Sequence, residues 1–122
     1  MSESKTLASE IEQMAIQYQD RPDTELQDLF EKEWWMVERG QVSPIHGDSD
    51  FWKGFKSKMI TEIIKNSDVV GATLGVITSQ VLSEIQKLGV DLSDFKIPIA
   101  ILVAIIARSV WHALEIRNSR GN

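Results

Sequence analysis

Apolar residues recur along this chain at helical spacing, and no segment alternates with the period of a strand. Leu7, Ile11, Met14, Ala15 and Tyr18 mark one face of a first helix, expected over 5–19. Arg21-Pro22 stops it, because a residue preceding proline avoids the helical region. Thr24-Glu25-Leu26-Gln27 reads as a capping box, and Leu26, Leu29, Phe30, Trp34 and Val37 carry a second helix over 24–39, ended by Gly40.

A loop over 41–49 follows, broken by Pro44 and Gly47. Ser49 or Asp50 is the expected N-cap of a third helix through residue 66, with Phe51, Trp52, Phe55, Met59, Ile60, Ile63 and Ile64 as its apolar stripe. Ser67 or Asp68 restarts the chain as a fourth helix over 68–88, ended by Gly89. Only Asn66-Ser67-Asp68 separates these two, so one bent helix is the alternative. Ser93 or Asp94 is expected to cap a fifth helix over 96–116, with Pro98 tolerated in its first turn. Residues 117–122 read as a frayed tail.

The fifth helix sets the fold. Its run Ile97-Pro-Ile-Ala-Ile-Leu-Val-Ala-Ile-Ile-Ala107 is apolar on every side, so other helices or lipid must wrap it. With short connections elsewhere, the expectation is a single all-α domain, a compact up-and-down bundle of about five helices around an apolar central C-terminal helix. Ile99, Val103, Ile106 and Trp111 should make its helix–helix contacts. Gly71 and Gly75, one turn apart in the predicted fourth helix, should let a neighbour approach closely.

Lipid is the competing solvent. A hairpin made of the fourth and fifth helices would keep four lysines before it and two arginines after it on one side, which obeys the positive-inside pattern. A span needs about 20 mostly apolar residues. Val69–Leu82 supplies fewer before polar residues crowd in, and Arg108 falls well inside the fifth helix. Constitutive insertion is therefore disfavoured, and a soluble bundle that releases the 69–114 hairpin conditionally is the alternative.

Charge adds an asymmetry. Residues 1–50 hold twelve acidic and four basic side chains, a net of −8, whereas residues 51–122 carry +3. Nucleic-acid binding needs clustered Lys and Arg, so the acidic half argues against it. That half suits a basic partner or the positive half of a second copy, and a decoy for a nucleic-acid-binding protein is a smaller alternative. The chain has no cysteine, which excludes disulfides and thiolate metal sites and fits a cytoplasmic protein. Its N-terminus lacks the basic start and apolar run of a secretory signal.

Candidate chemistry is sparse. No nucleophile, phosphate-loop, zinc-protease or dinucleotide motif is present. His112 and Glu115 share a helix face, but in the reverse of the di-iron order and only once. His46, Asp48 and Asp50 lack the ligand run of a calcium loop. No catalytic residue, metal site or cofactor is expected.

Four tryptophans offer a different signal. Trp34 and Trp35 point about 100° apart on a helix, so they cannot both face one core. Trp35 is expected at the boundary, near Met36, and Trp and Met at a surface favour protein interfaces. Trp34, Trp35, Glu38 and His46 form the candidate partner-binding surface. A second candidate is Trp52-Lys-Gly-Phe-Lys-Ser-Lys58, whose interleaved aromatics and lysines suit an anionic surface. The expected function is a non-enzymatic soluble interaction module, with self-association possible.

Overall fold

The computed structural model describes residues 3–38, 49–66, 71–89 and 91–120. Five helices follow in order: α1 (Glu3–Tyr18), α2 (Asp23–Glu38), α3 (Ser49–Asn66), α4 (Leu74–Lys87) and α5 (Lys96–Arg120). The described residues contain no strand.

Helix α5 is the axis, and each of the other four packs against it. Pro98 to Ala107 are all buried, so protein replaces lipid around the apolar run. Ile97 departs from that expectation at 41% exposure, although Phe95 and Pro98 on either side are buried, so it is the one position of the run that faces out between the helices.

Side-chain pairings give the direction of every helix. Lys96 pairs with Glu10 at 2.9 Å and Arg108 bonds Arg21, so α1 runs alongside α5 in the same sense. Asp23 lies beside Arg108, while Trp34 lies beside Phe95, so α2 runs the opposite way. Trp52 meets Trp34 near the start of α5, and the Ile64 carbonyl accepts from Arg117 near its end, so α3 runs with α5. Helix α4 begins beside Trp111 and descends to the start of α5. The result is an up-down-up-down-up bundle.

The ring around α5 is closed on its flanks. Gly75 of α4 faces Glu12 of α1: a Cβ placed there would lie 3.4 Å from the carboxylate oxygen Oε1. Lys58 of α3 reaches Glu84 of α4 at 3.7 Å, and aromatic rings fill the gap between α2 and α3. The joint between α1 and α2 is a tight turn, with Gln19 N donating to Ile16 O and Arg21 N to Tyr18 O.

Several helix ends differ from the sequence expectation. Helix α2 starts at Asp23, and the Pro22 carbonyl accepts from Leu26 N at 3.0 Å. Thr24 therefore lies inside the first turn and does not cap it. Ser49 and Asp50 likewise lie within α3 instead of preceding it.

The fourth helix begins six residues later than 68, at Leu74, because Thr73 adopts an extended backbone and its hydroxyl accepts from Val76 N at 3.3 Å. Residues 71–73 are not helical, so α3 and α4 are two helices and Gly71 is outside both. Gly89, at φ 83°, ends α4 as expected, in a conformation that favours glycine.

Phe95, not Ser93 or Asp94, precedes α5. Its carbonyl accepts from Ile99 N, and Asp91 O accepts from both Asp94 N and Phe95 N. The expected frayed tail is helical through Arg120. The Arg117 bond to the Ile64 carbonyl, at 3.0 Å, ties its first residue to α3. Gly40, the body of the predicted 41–49 loop and Asn122 fall outside the described residues.

Candidate functional site

Helix α2 turns two faces in opposite directions. Its inner face is Leu26, Phe30 and Trp34, all 0% exposed. Trp34 sits 4.4 Å from Phe95 and 4.6 Å from Trp52, centroid to centroid, and Phe30 meets Trp52 at 5.2 Å in an edge-on arrangement. Such offset and edge-on pairs are favoured by the ring quadrupole. Trp52 Nε1 is buried without a hydrogen-bond acceptor, in surroundings built from rings.

The outer face is polar except at its C-terminal end. Glu25, Asp28 and Lys32 are exposed at successive turns, and the row ends in Trp35 at 55% and Met36 at 52% exposure. A 100° step between adjacent residues thus sends one indole into the core and the next to the surface. Of the four candidate partner-binding residues, the structure buries Trp34 and exposes Trp35. The Glu38 side chain and His46 lie outside the described residues.

Between α2 and α3 runs a short polar bridge. Lys56 Nζ donates to Gln27 Oε1, and Gln27 Nε2 approaches Glu31 Oε2 at 3.5 Å. Partial burial lowers the Lys56 pKa from its usual 10.5, and the Glu31 charge opposes that shift. This bridge fixes which flank of α2 meets α3. Glu31 lies on that flank, with Trp35 just outside it.

The aromatic–lysine segment of α3 does not form one mixed surface. Trp52 and Phe55 are buried at 1% and 9% exposure, while Lys53 and Lys58 are exposed. Period-3.6 geometry separates them onto opposite sides of the helix, so an anionic surface would meet lysines without the aromatics.

The packing residues divide similarly. Ile99, Val103 and Ile106 are 0% exposed in the centre of the bundle. Trp111 is partly buried, and its Nε1 donates to the Ala72 carbonyl at 2.6 Å, pinning the chain just before α4. Gly75 faces the end of the Glu12 side chain, which an added Cβ would meet at ordinary contact distance, and Gly71 occupies an exposed turn. The two glycines thus form no paired small-residue seam.

A cleft of about 440 Å³ lies beside the last turns of α5, lined by Asp23, Arg108, Ser109, Trp111, His112 and Glu115. Arg108 is held there by Asp23 at 3.3 Å and by the Arg21 carbonyl. Among the described residues no hydrogen bond joins Ser109 to His112, and no group of three His, Asp or Glu side chains converges to hold a metal ion. The cleft is open and assembles no nucleophile–base pair.

No protein-family model, no curated protein and no solved structure matches this chain.

Proposed function

We propose that this protein is a non-enzymatic helical interaction module, an adaptor or regulatory subunit that binds another protein through the outer face of α2. The observation that carries the reading is Trp35. A large indole stays 55% exposed beside a fully buried neighbour, with Met36 adjoining it. Exposed Trp and Met are the residue types that anchor protein interfaces, and a rim of charged side chains such as Asp28 and Lys32 suits them. The polar cleft at the end of α5 lacks convergent groups, which leaves α2 as the stronger site.

Release of a membrane hairpin receives less support. Helix α5 is apolar enough to cross a bilayer over Lys96–Arg117, with a mean hydropathy of 1.9, but 67% of that window is buried inside the bundle. Core burial accounts for its apolarity without lipid.

The test compares wild-type chain with Trp35→Ala as immobilised bait, alongside flotation with anionic liposomes. A specific bound protein lost in Trp35→Ala, at unchanged Tm, supports the reading. Equal capture by both baits, or flotation with the liposomes, overturns it.

A further inference from the structure

We propose that Lys56, in the seam between α2 and α3, is an acylation site: its amine takes the acyl group of a small acyl phosphate ahead of the other described lysines. This goes beyond the reading of α2 as a contact surface and holds whatever α2 binds.

An ammonium is not a nucleophile, so a lysine reacts only from its neutral amine. A carboxylate partner opposes that form, because it stabilises the charge. Lys58 and Lys87 both pair with Glu84, and Lys96 pairs with Glu10 at 2.9 Å. Lys56 is held differently. Its Nζ donates to Gln27 Oε1, a neutral amide oxygen, and among the described residues no carboxylate pairs with it.

The amide is itself oriented. Gln27 Nε2 approaches Glu31 Oε2 at 3.5 Å, which turns the Gln27 oxygen toward α3. A neutral amine keeps two N–H bonds, so it still donates to Gln27 while its lone pair is freed for attack. Deprotonation therefore costs the seam no hydrogen bond, whereas in Lys58, Lys87 or Lys96 it discharges an ion pair.

Two further features favour the neutral form. Lys56 is partly buried between the helices, where a charge is poorly solvated, and Lys53 stands one turn back on α3 with like charge. Burial is the largest influence and lowers the Lys56 pKa from 10.5; Lys53 adds to it, while the Glu31 and Asp23 charges oppose it. Exposed Lys53 also selects the reagent, because its cation attracts an anionic phosphate and stabilises it on departure.

In the reaction the Nζ lone pair attacks the acyl carbon. The carbon–oxygen bond to phosphate breaks, phosphate leaves with the electron pair, and the surplus proton on nitrogen passes to solvent. The product is an uncharged amide with one N–H left for Gln27.

Acetyl phosphate added to the folded full chain, followed by site-resolved mass spectrometry over time, tests this. Lys56 should acetylate about three-fold faster, or more, than exposed Lys32, Lys53 and Lys65. In urea-unfolded chain these lysines should react alike. Gln27→Glu supplies a carboxylate partner and should bring Lys56 down to the rate of Lys65, with a thermal melt confirming the fold. Lys53→Gln should slow Lys56 as well. Three results each overturn the proposal: Lys56 no faster than Lys53 and Lys65 in the folded wild type, a preference that persists in urea, or an unchanged Lys56 rate in folded Gln27→Glu.

Discussion

The guanidinium of Arg108 pairs with Asp23 at 3.3 Å and donates to the carbonyl of Arg21, so one α5 side chain holds the corner between α1 and α2. Charge in the middle of an otherwise apolar helix is costly unless it reaches partners. Here it reaches the rim of the bundle, at 33% side-chain exposure, and joins segments 87 residues apart in sequence.

Arg108→Ala should therefore destabilise the fold by about 1–2 kcal/mol, a fall in Tm on the order of 5 °C, because a charge-assisted bond to a backbone carbonyl is lost. Asp23→Asn should cost only a few tenths of a kcal/mol, since the Asp23 carboxylate is 67% exposed and water competes for the pair. Thermal melts of the two variants check the ratio. Equal losses would mean that the ion pair, not the carbonyl bond, holds the corner.

The two adjacent tryptophans should respond oppositely. Trp34→Ala empties a site packed by Phe30, Trp52 and Phe95 and is expected to cost about 3–5 kcal/mol. Trp35→Ala should stay within about 0.5 kcal/mol of wild type, because its ring is already more than half in water. Urea denaturation measures both, and similar midpoints would contradict the burial pattern.

Trp111→Phe keeps an aromatic ring, though a smaller one than the indole, and removes the donor to the Ala72 carbonyl. Ala72 is 1% exposed, so water cannot easily replace the indole, and the expected loss is about 1–2 kcal/mol. Amide exchange should quicken in the first turn of α4 more than elsewhere. Uniform acceleration would show that the bond supports global stability instead of the α4 entry.

Glu84 gives a pH dependence with a definite sign. The Lys87 hydrogen bond, at 3.0 Å, holds its pKa below 4.5, against a smaller upward push from burial, with the charges of Lys87 and Lys58 adding to the lowering. A carboxylate depressed in the folded state adds stability above its unfolded pKa and loses it as pH falls through the folded one. Wild type should exceed Glu84→Gln by roughly 0.5 kcal/mol at neutral pH, a gap that closes as the pH drops below 4.5. A gap that persists at low pH would assign the difference to packing.

Helix identity was legible from the chain because periodicity is a local property. An all-round apolar run must be wrapped by helices or by lipid, and Arg108 inside the helix disfavoured lipid, so a central α5 was the expectation from Ile97–Ala107 and Arg108 alone. The split between Trp34 and Trp35 followed similarly, from a 100° step along a helix whose inner face Leu26 and Phe30 already marked.

Helix ends were less legible, since several residues compete for each cap and tertiary contacts choose among them. Thr24 has the chemistry of a cap, yet Pro22 supplies the first accepting carbonyl. Ser67 and Asp68 are good caps on paper, but Trp111 grips the Ala72 carbonyl and Thr73 caps the helix there, which takes Gly71 out of the helix and leaves Gly75 alone against Glu12.

What the sequence determined by itself was the all-helical class, the central helix and the exposed tryptophan, because each depends on spacing along one element. What only tertiary structure decided was the order of helices around α5, the tying of Arg108 to the α1–α2 corner, and the Trp111 bond to the Ala72 carbonyl that sets where α4 begins. Those depend on which helix faces which, and residues far apart in sequence become neighbours only when the side chains between them have packed.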